Sequence, residues 1–124
     1  MISDTELTQF EQTLKRERKI LQQEIKFFLT HSNLESHKNL CLRLDENPMG
    51  KWVEMLWNQS SDEIRPIVKS LDKVEASLSQ IELGLFGLCA DCEMEIPMDI
   101  LYRNPSHQRC DNCHQKYIEN PDAL

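Results

Sequence analysis

The amino-acid sequence predicts an all-α-dominated chain: a long antiparallel coiled-coil helical hairpin, then a small four-cysteine module and a short C-terminal helix. Three observations carry this. Apolar residues recur at steps of three and four through most of the first 85 positions, as in helices paired along one stripe. One strong turn signal, Asp45-Glu46-Asn47-Pro48-Met49-Gly50, divides that pattern into two arms. Behind the arms stand two CxxC pairs, Cys89-Ala90-Asp91-Cys92 and Cys110-Asp111-Asn112-Cys113.

The first arm begins at Asp4. Leu7, Phe10, Leu14, Leu21, Ile25 and Phe28 fall at coiled-coil spacings, and Glu11, Lys15, Arg16, Lys19 and Gln22 can face water. Beyond Phe28 the stripe moves to Phe27, Leu34, Cys41 and Leu44, the drift of an undistorted helix against a seven-residue repeat. Thr30-His31-Ser32-Asn33 is poor helix material and marks a place for a kink. Lys15, Arg16, Arg18 and Lys19 form the one dense basic run, with Glu11 and Glu17 near enough to pair with it.

Pro48 restricts Asn47 to extended geometry and Gly50 permits a reversal, so the tip of a hairpin spanning 1–85 is expected near 45–50. Trp52 and Trp57 follow at once. Five positions apart, they cannot share one seam, so one indole is expected to pack. An indole exposed near the tip would be a contact anchor, and Trp52 is the candidate. Ser60 and Glu63 stand at capping-box spacing, and with Pro66 they predict a bend at 60–66. Then Ile64, Ile67, Leu71, Val74, Leu78, Ile81 and Leu85 form the cleanest stripe in the chain. The matching stripe on the first arm favours intramolecular pairing, and hence a monomer, over a parallel dimer.

Two CxxC pairs offer four soft ligands, which suit one tetrahedral structural zinc with no coordination position left for water. Iron is the alternative that four sulfurs accept, but no flavin site or electron-transfer partner accompanies them. A disulfide framework would need an oxidising compartment, whereas Met1-Ile2-Ser3-Asp4 opens a polar segment without a signal peptide, so a cytoplasmic location is expected. Cys41, the fifth cysteine, reads as a buried or half-buried thiol. His107 and His114 stay outside the complete shell.

In the module, 86–124, Gly84 and Gly87 let the chain leave the helix, and Phe86 and Leu88 seal the junction. Ile96, Ile100, Leu101 and Tyr102 supply a minimal core, and Pro97 and Pro105 stiffen it, with the metal providing the missing stability. Asp111 to Glu119 predicts the terminal helix, with Tyr117 and Ile118 docking back and Asn120-Pro121 ending it.

Composition narrows the function. Three glycines in 124 residues leave no phosphate-cradling loop, and no run approaches a membrane span. The net charge is -7, and residues 86–124 hold 3 Lys/Arg against 7 Asp/Glu, which opposes a phosphate backbone and direct sequence-specific nucleic-acid binding. No nucleophile–base pair stands at plausible spacing, so an enzyme is not expected.

The hairpin followed by Cys89-Ala90-Asp91-Cys92, Pro105 and Cys110-Asp111-Asn112-Cys113, with Phe86-Gly87 directly before the first pair, resembles the DksA/TraR family of bacterial transcription regulators. Ala90 and Ile100 depart from the family pattern, which has an acidic or serine residue and an arginine at those places. The resemblance implies binding to RNA polymerase, with the coiled coil in the secondary channel and the finger on its rim. It implies functional acids at the tip, where this chain offers Asp45 and Glu46 but neither the second acid in register nor the alanine of the family's Asp-x-x-Asp-x-Ala motif. At the rim residues used by members that respond to ppGpp, Lys73 matches while Asn104 and His114 replace basic residues, which argues against alarmone synergy. A coiled-coil adaptor or a passive channel blocker with a purely structural zinc is the alternative reading.

Overall fold

A computed structural model describes residues 2–57 and 61–119. Among them are six α-helices and a single 3-10 turn: α1 (Asp4–Thr30), α2 (Glu35–Asp45), the 3-10 turn (Met49–Lys51), α3 (Trp52–Trp57), α4 (Arg65–Leu83), α5 (Met98–Arg103) and α6 (Asp111–Glu119). No strand forms among the described residues, and one isolated antiparallel bridge joins Leu88 and Glu95. No helix among them is long and apolar enough to cross a membrane. The chain forms two compact units. One holds the residues up to Leu14 together with those from Ala76 onward, and the other holds Lys15–Glu75.

In the Lys15–Glu75 unit the helix expected to continue towards Leu44 stops at Thr30. The Thr30 hydroxyl bonds back to the Lys26 carbonyl at 2.8 Å, and Ser32 Oγ accepts from the Leu34 N–H and pairs with His37 Nδ1 at 2.7 Å. These side chains offer the backbone an alternative to the helical ladder. The result is a reversal, not a kink. Lys26 Nζ and Asp45 Oδ1 are 2.8 Å apart, whereas 19 residues of continuous helix would separate them by about 28 Å. The predicted turn at 45–50 is therefore the second reversal in this unit. Phe27 and Leu34, expected to carry the drifting stripe, are exposed, while Leu29, Leu40, Cys41 and Leu44 fill the core.

At the second turn, α2 ends on terminal carbonyls that find donors. The Glu46 and Asn47 N–H groups reach Arg43 and Leu44, and Asn47 Nδ2 donates to Arg43 at 2.7 Å. The Trp52 indole N–H donates to the Leu44 carbonyl at 3.0 Å, doing the work of a C-terminal cap from outside the helix. α4 starts with Pro66 in its first turn, where no N–H is needed. Ser60 of the predicted capping box lies outside the described residues, as do Asn120 and Pro121. Ile64, directly before α4, and Leu71, Val74 and Leu78 along it are buried as their stripe predicts, with Val68 sealed more fully than Ile67.

In the other unit α1 opens with a reciprocal capping box: Ser3 N–H to Glu6 Oε1 at 3.1 Å and Glu6 N–H to Ser3 Oγ at 3.2 Å. Phe10 packs against Phe86 and Tyr102, with ring centroids 5.2 and 5.3 Å away. α4 ends at Leu83, short of the predicted Leu85. Gly84, at φ 75°, allows the Leu85 N–H to reach Gln80 O and its own N–H to reach Ile81 O, which is a Schellman closure. Leu85 is thereby turned out to solvent.

Candidate metal centre

Each CxxC pair is shaped by its own backbone. In the first, Glu93 adopts φ 64° and sends its N–H to the Cys89 carbonyl at 3.0 Å, while Cys89 N–H donates to Met94 O at 2.8 Å. Leu88 then meets Glu95, and Ile96 N–H closes on Gly87 O at 2.7 Å. Gly87 is at φ 89°, and a Cβ there would lie 2.7 Å from Ile2 Cδ1. In the second pair, α6 starts at Asp111, so the Cys113 N–H points back at Cys110 Sγ at 3.5 Å. Ala90 N–H donates to Gln108 O at 2.7 Å and ties the two pairs together.

The four sulfurs lie within 4.8 Å of one another, and Cys92 Sγ and Cys110 Sγ are 3.7 Å apart. A tetrahedron with metal–sulfur bonds of about 2.3 Å has edges of about 3.8 Å. The cluster is thus spaced to hold one metal ion. Its electrostatics suit a cation as well. Burial pushes the Cys89 thiol up, but backbone N–H groups of Cys92, Cys110 and Asp91 outweigh it and bring Cys89 down to about 6. N–H donors aimed at the sulfur favour the thiolate, the form that binds a metal. Cys113 is pushed up to about 12, first by the Cys110 sulfur and then by burial, as the sulfurs crowd one another.

Around the cage, Arg109 Nε donates to Asp91 Oδ2 at 2.7 Å, and its guanidinium lies 4.2 Å from the centre of the Tyr117 ring. Asp91 belongs to the first pair, Arg109 directly precedes the second, and Tyr117 is on α6. The sequence reading passed over both charged residues, although opposite charges at the borders of two ligand pairs are a usable signal. The His107 and His114 rings meet at a tilt of 51° with centroids 5.5 Å apart, and neither belongs to the four-ligand cluster. α5 was not foreseen either. Pro97 precedes it, and Leu101 and Ile96 are buried while Tyr102 is exposed with its hydroxyl donating to Glu6.

The remaining candidate residues belong to the Lys15–Glu75 unit. Asp45 ends α2 in its ion pair with Lys26, Glu46 is the exposed C-cap beside it, and Lys73 is exposed on α4. Trp52 is 1% exposed, so its indole packs and caps instead of reaching outward; the exposed indole is that of Trp57, at 51%.

No family model matches the sequence. No curated protein matches it either. Among solved structures, that of the transcription factor DksA2 from Pseudomonas aeruginosa is similar over 97% of this chain and 88% of that chain, with a TM-score of 0.60 and 18% sequence identity. At that identity the likeness speaks for the fold: this chain, with four cysteines placed to hold a metal ion, is folded as a DksA-like transcription factor is folded.

Proposed function

We propose that the protein is an accessory factor of bacterial RNA polymerase that acts through the secondary channel, without reading DNA directly. In this reading residues 1–85, whose helices reverse at 31–34 and again at 45–50, are the arm that enters the channel. Residues 86–124 are a zinc finger that holds the rim, with one Zn2+ on Cys89, Cys92, Cys110 and Cys113. The protein works as a cytoplasmic monomer. The observation that carries the reading is the four-sulfur cage set in a DksA-like fold that extends over nearly the whole chain. The acidic balance of the chain supports a protein partner over a phosphate backbone.

When bound, zinc supplies cross-linking and charge neutralisation, with no reactive position left open. The chain's own residues supply the rest. Glu46, exposed at the end of α2, and Asp45 would bring negative charge near the polymerase active site, where a confined channel screens it weakly. Two side chains speak against a response to ppGpp. Asn104 spends its side-chain oxygen on the Ser106 N–H and hydroxyl, and His114 packs on His107.

One observation favours the passive alternative, a blocker or adaptor. Lys26 already pairs with Asp45 and offsets half of the acidic pair. The test separates the two. The purified protein should co-elute with core polymerase and change the lifetime of open promoter complexes, and D45A/E46A should abolish the second effect while sparing the first. Indifference to those substitutions would assign the blocker role, and failure to bind polymerase would remove the reading.

A further inference from the structure

In the Lys15–Glu75 unit a groove of about 890 Å³ lies between the last turns of α1, the reversal at 31–34 and the start of α4. Its volume is within the range of sites that enclose ligands or side-chain clusters. Ile20, Phe27 and Leu34 line it and are all exposed, Phe27 at 65%. Ile20 and Phe27 stand seven positions apart on α1 and so share one helix face. The Phe27 ring is held flat by stacking on His31, with centroids 4.1 Å apart and planes at 26°. Among the described residues the carboxylates in the lining come from Glu24 and Glu63, and no lysine or arginine joins them.

We infer that this groove receives an amphipathic helix from a protein partner, one with apolar anchors at helical spacing and basic residues beside them. Three large exposed apolar side chains around one concave surface are the pattern of helix-in-groove recognition. The sign of the lining selects the partner's flanking charge. It also disfavours a second copy of this chain, whose net charge of -7 would meet its like. This inference stands apart from the polymerase reading and survives its failure.

The test uses the full-length, metal-loaded protein and two fluorescein-labelled synthetic helical peptides. Both carry leucines at i, i+3, i+4 and i+7, one with flanking lysines and the other with glutamates in their place. By fluorescence anisotropy the lysine peptide should bind with Kd of about 1–50 μM, and the glutamate peptide at least about tenfold more weakly. Phe27→Ser, at an exposed position, should weaken the lysine peptide about tenfold while circular dichroism stays unchanged. E24K/E63K should reverse the order of the two peptides. Equal binding of both peptides, binding of neither, or indifference to Phe27→Ser would overturn the inference. So would a dimer in sedimentation that Phe27→Ser dissolves, which would assign the groove to a second copy.

Discussion

Arg109 and Asp91 form a 2.7 Å ion pair across the two cysteine pairs, with both side chains 25% exposed. Asp91 also presents its backbone N–H to Cys89 Sγ, so whatever steadies Asp91 steadies a ligand. Partial exposure holds the pair to about 1 kcal/mol, and the Tyr117 face adds about 0.5–1 kcal/mol. Replacing Arg109 with Met should speed zinc transfer to a chromogenic chelator by about tenfold, at the lower end of outer-shell effects on metal sites. D91N should do nearly the same, and the double variant should add little. Additive effects would show that the two residues act separately.

Metal content is the direct check on the cage. Elemental analysis should find one zinc per chain, and a single Cys→Ser change at 89, 92, 110 or 113 should remove it. Loss of the ion should also lower the helical signal, because α6 starts between two ligands and a unit this small depends on its metal to fold. A chain that keeps its full helical content after chelation would contradict that dependence.

Trp52 should be the costliest residue of the Lys15–Glu75 core. Its indole is sealed and caps α2, so W52A should lose about 3–5 kcal/mol in denaturant unfolding. W52F keeps most of the volume and removes the indole donor from the Leu44 carbonyl, which keeps the Asn47 N–H, so it should cost about 1 kcal/mol. W57A, at an exposed site, should stay within about 0.5 kcal/mol. If W57A proved the worse of the two alanine variants, the assignment of the packed indole would be wrong.

Acid should act on the first turn of α1. The Tyr102 hydroxyl, followed by the Ser3 N–H and hydroxyl, holds the Glu6 carboxyl below its ordinary value of 4.5. A carboxylate depressed in the folded state stabilises above its unfolded pKa, and that stabilisation is lost as pH falls through the folded one. E6Q should therefore melt below the wild type at pH 7, and the gap between them should close as the pH drops below 4.5. A gap independent of pH would mean that the carboxylate charge is irrelevant there.

Gly84 and Gly87 should differ. Both have positive φ, but a Cβ at Gly84 meets nothing within 4 Å, whereas at Gly87 it meets Ile2. G84A should cost about 1–2 kcal/mol from backbone strain alone, and G87A should cost more. Adding I2A should recover only the excess. Equal losses in thermal or denaturant melts would remove the role given to Ile2.

Much of the chain was readable from residue order because the rules involved are local. CxxC needs only the turn between its cysteines, and the stripe from Ile64 to Leu78 needs only the helical period. The helix at Asp111–Glu119 follows from its polar start. The capping box at Ser3 and Glu6 was equally local and went unread. What the tertiary structure decided is which of several locally acceptable outcomes prevails. Thr30-His31-Ser32-Asn33 permits a kink as readily as a reversal, and the ion pair of Lys26 with Asp45 and the core around Leu29, Leu40 and Leu44 go with the reversal. That choice left Phe27 and Leu34 exposed around a groove. Of two indoles near one turn, residue order pointed to Trp52 as the outward anchor, whereas the fold buries Trp52, with its N–H on the Leu44 carbonyl, and exposes Trp57. The pairing of Asp91 with Arg109 joins residues 18 apart, and only folding brings them together. Local preferences differ by fractions of a kcal/mol, so burial and hydrogen bonding across the fold settle such ties.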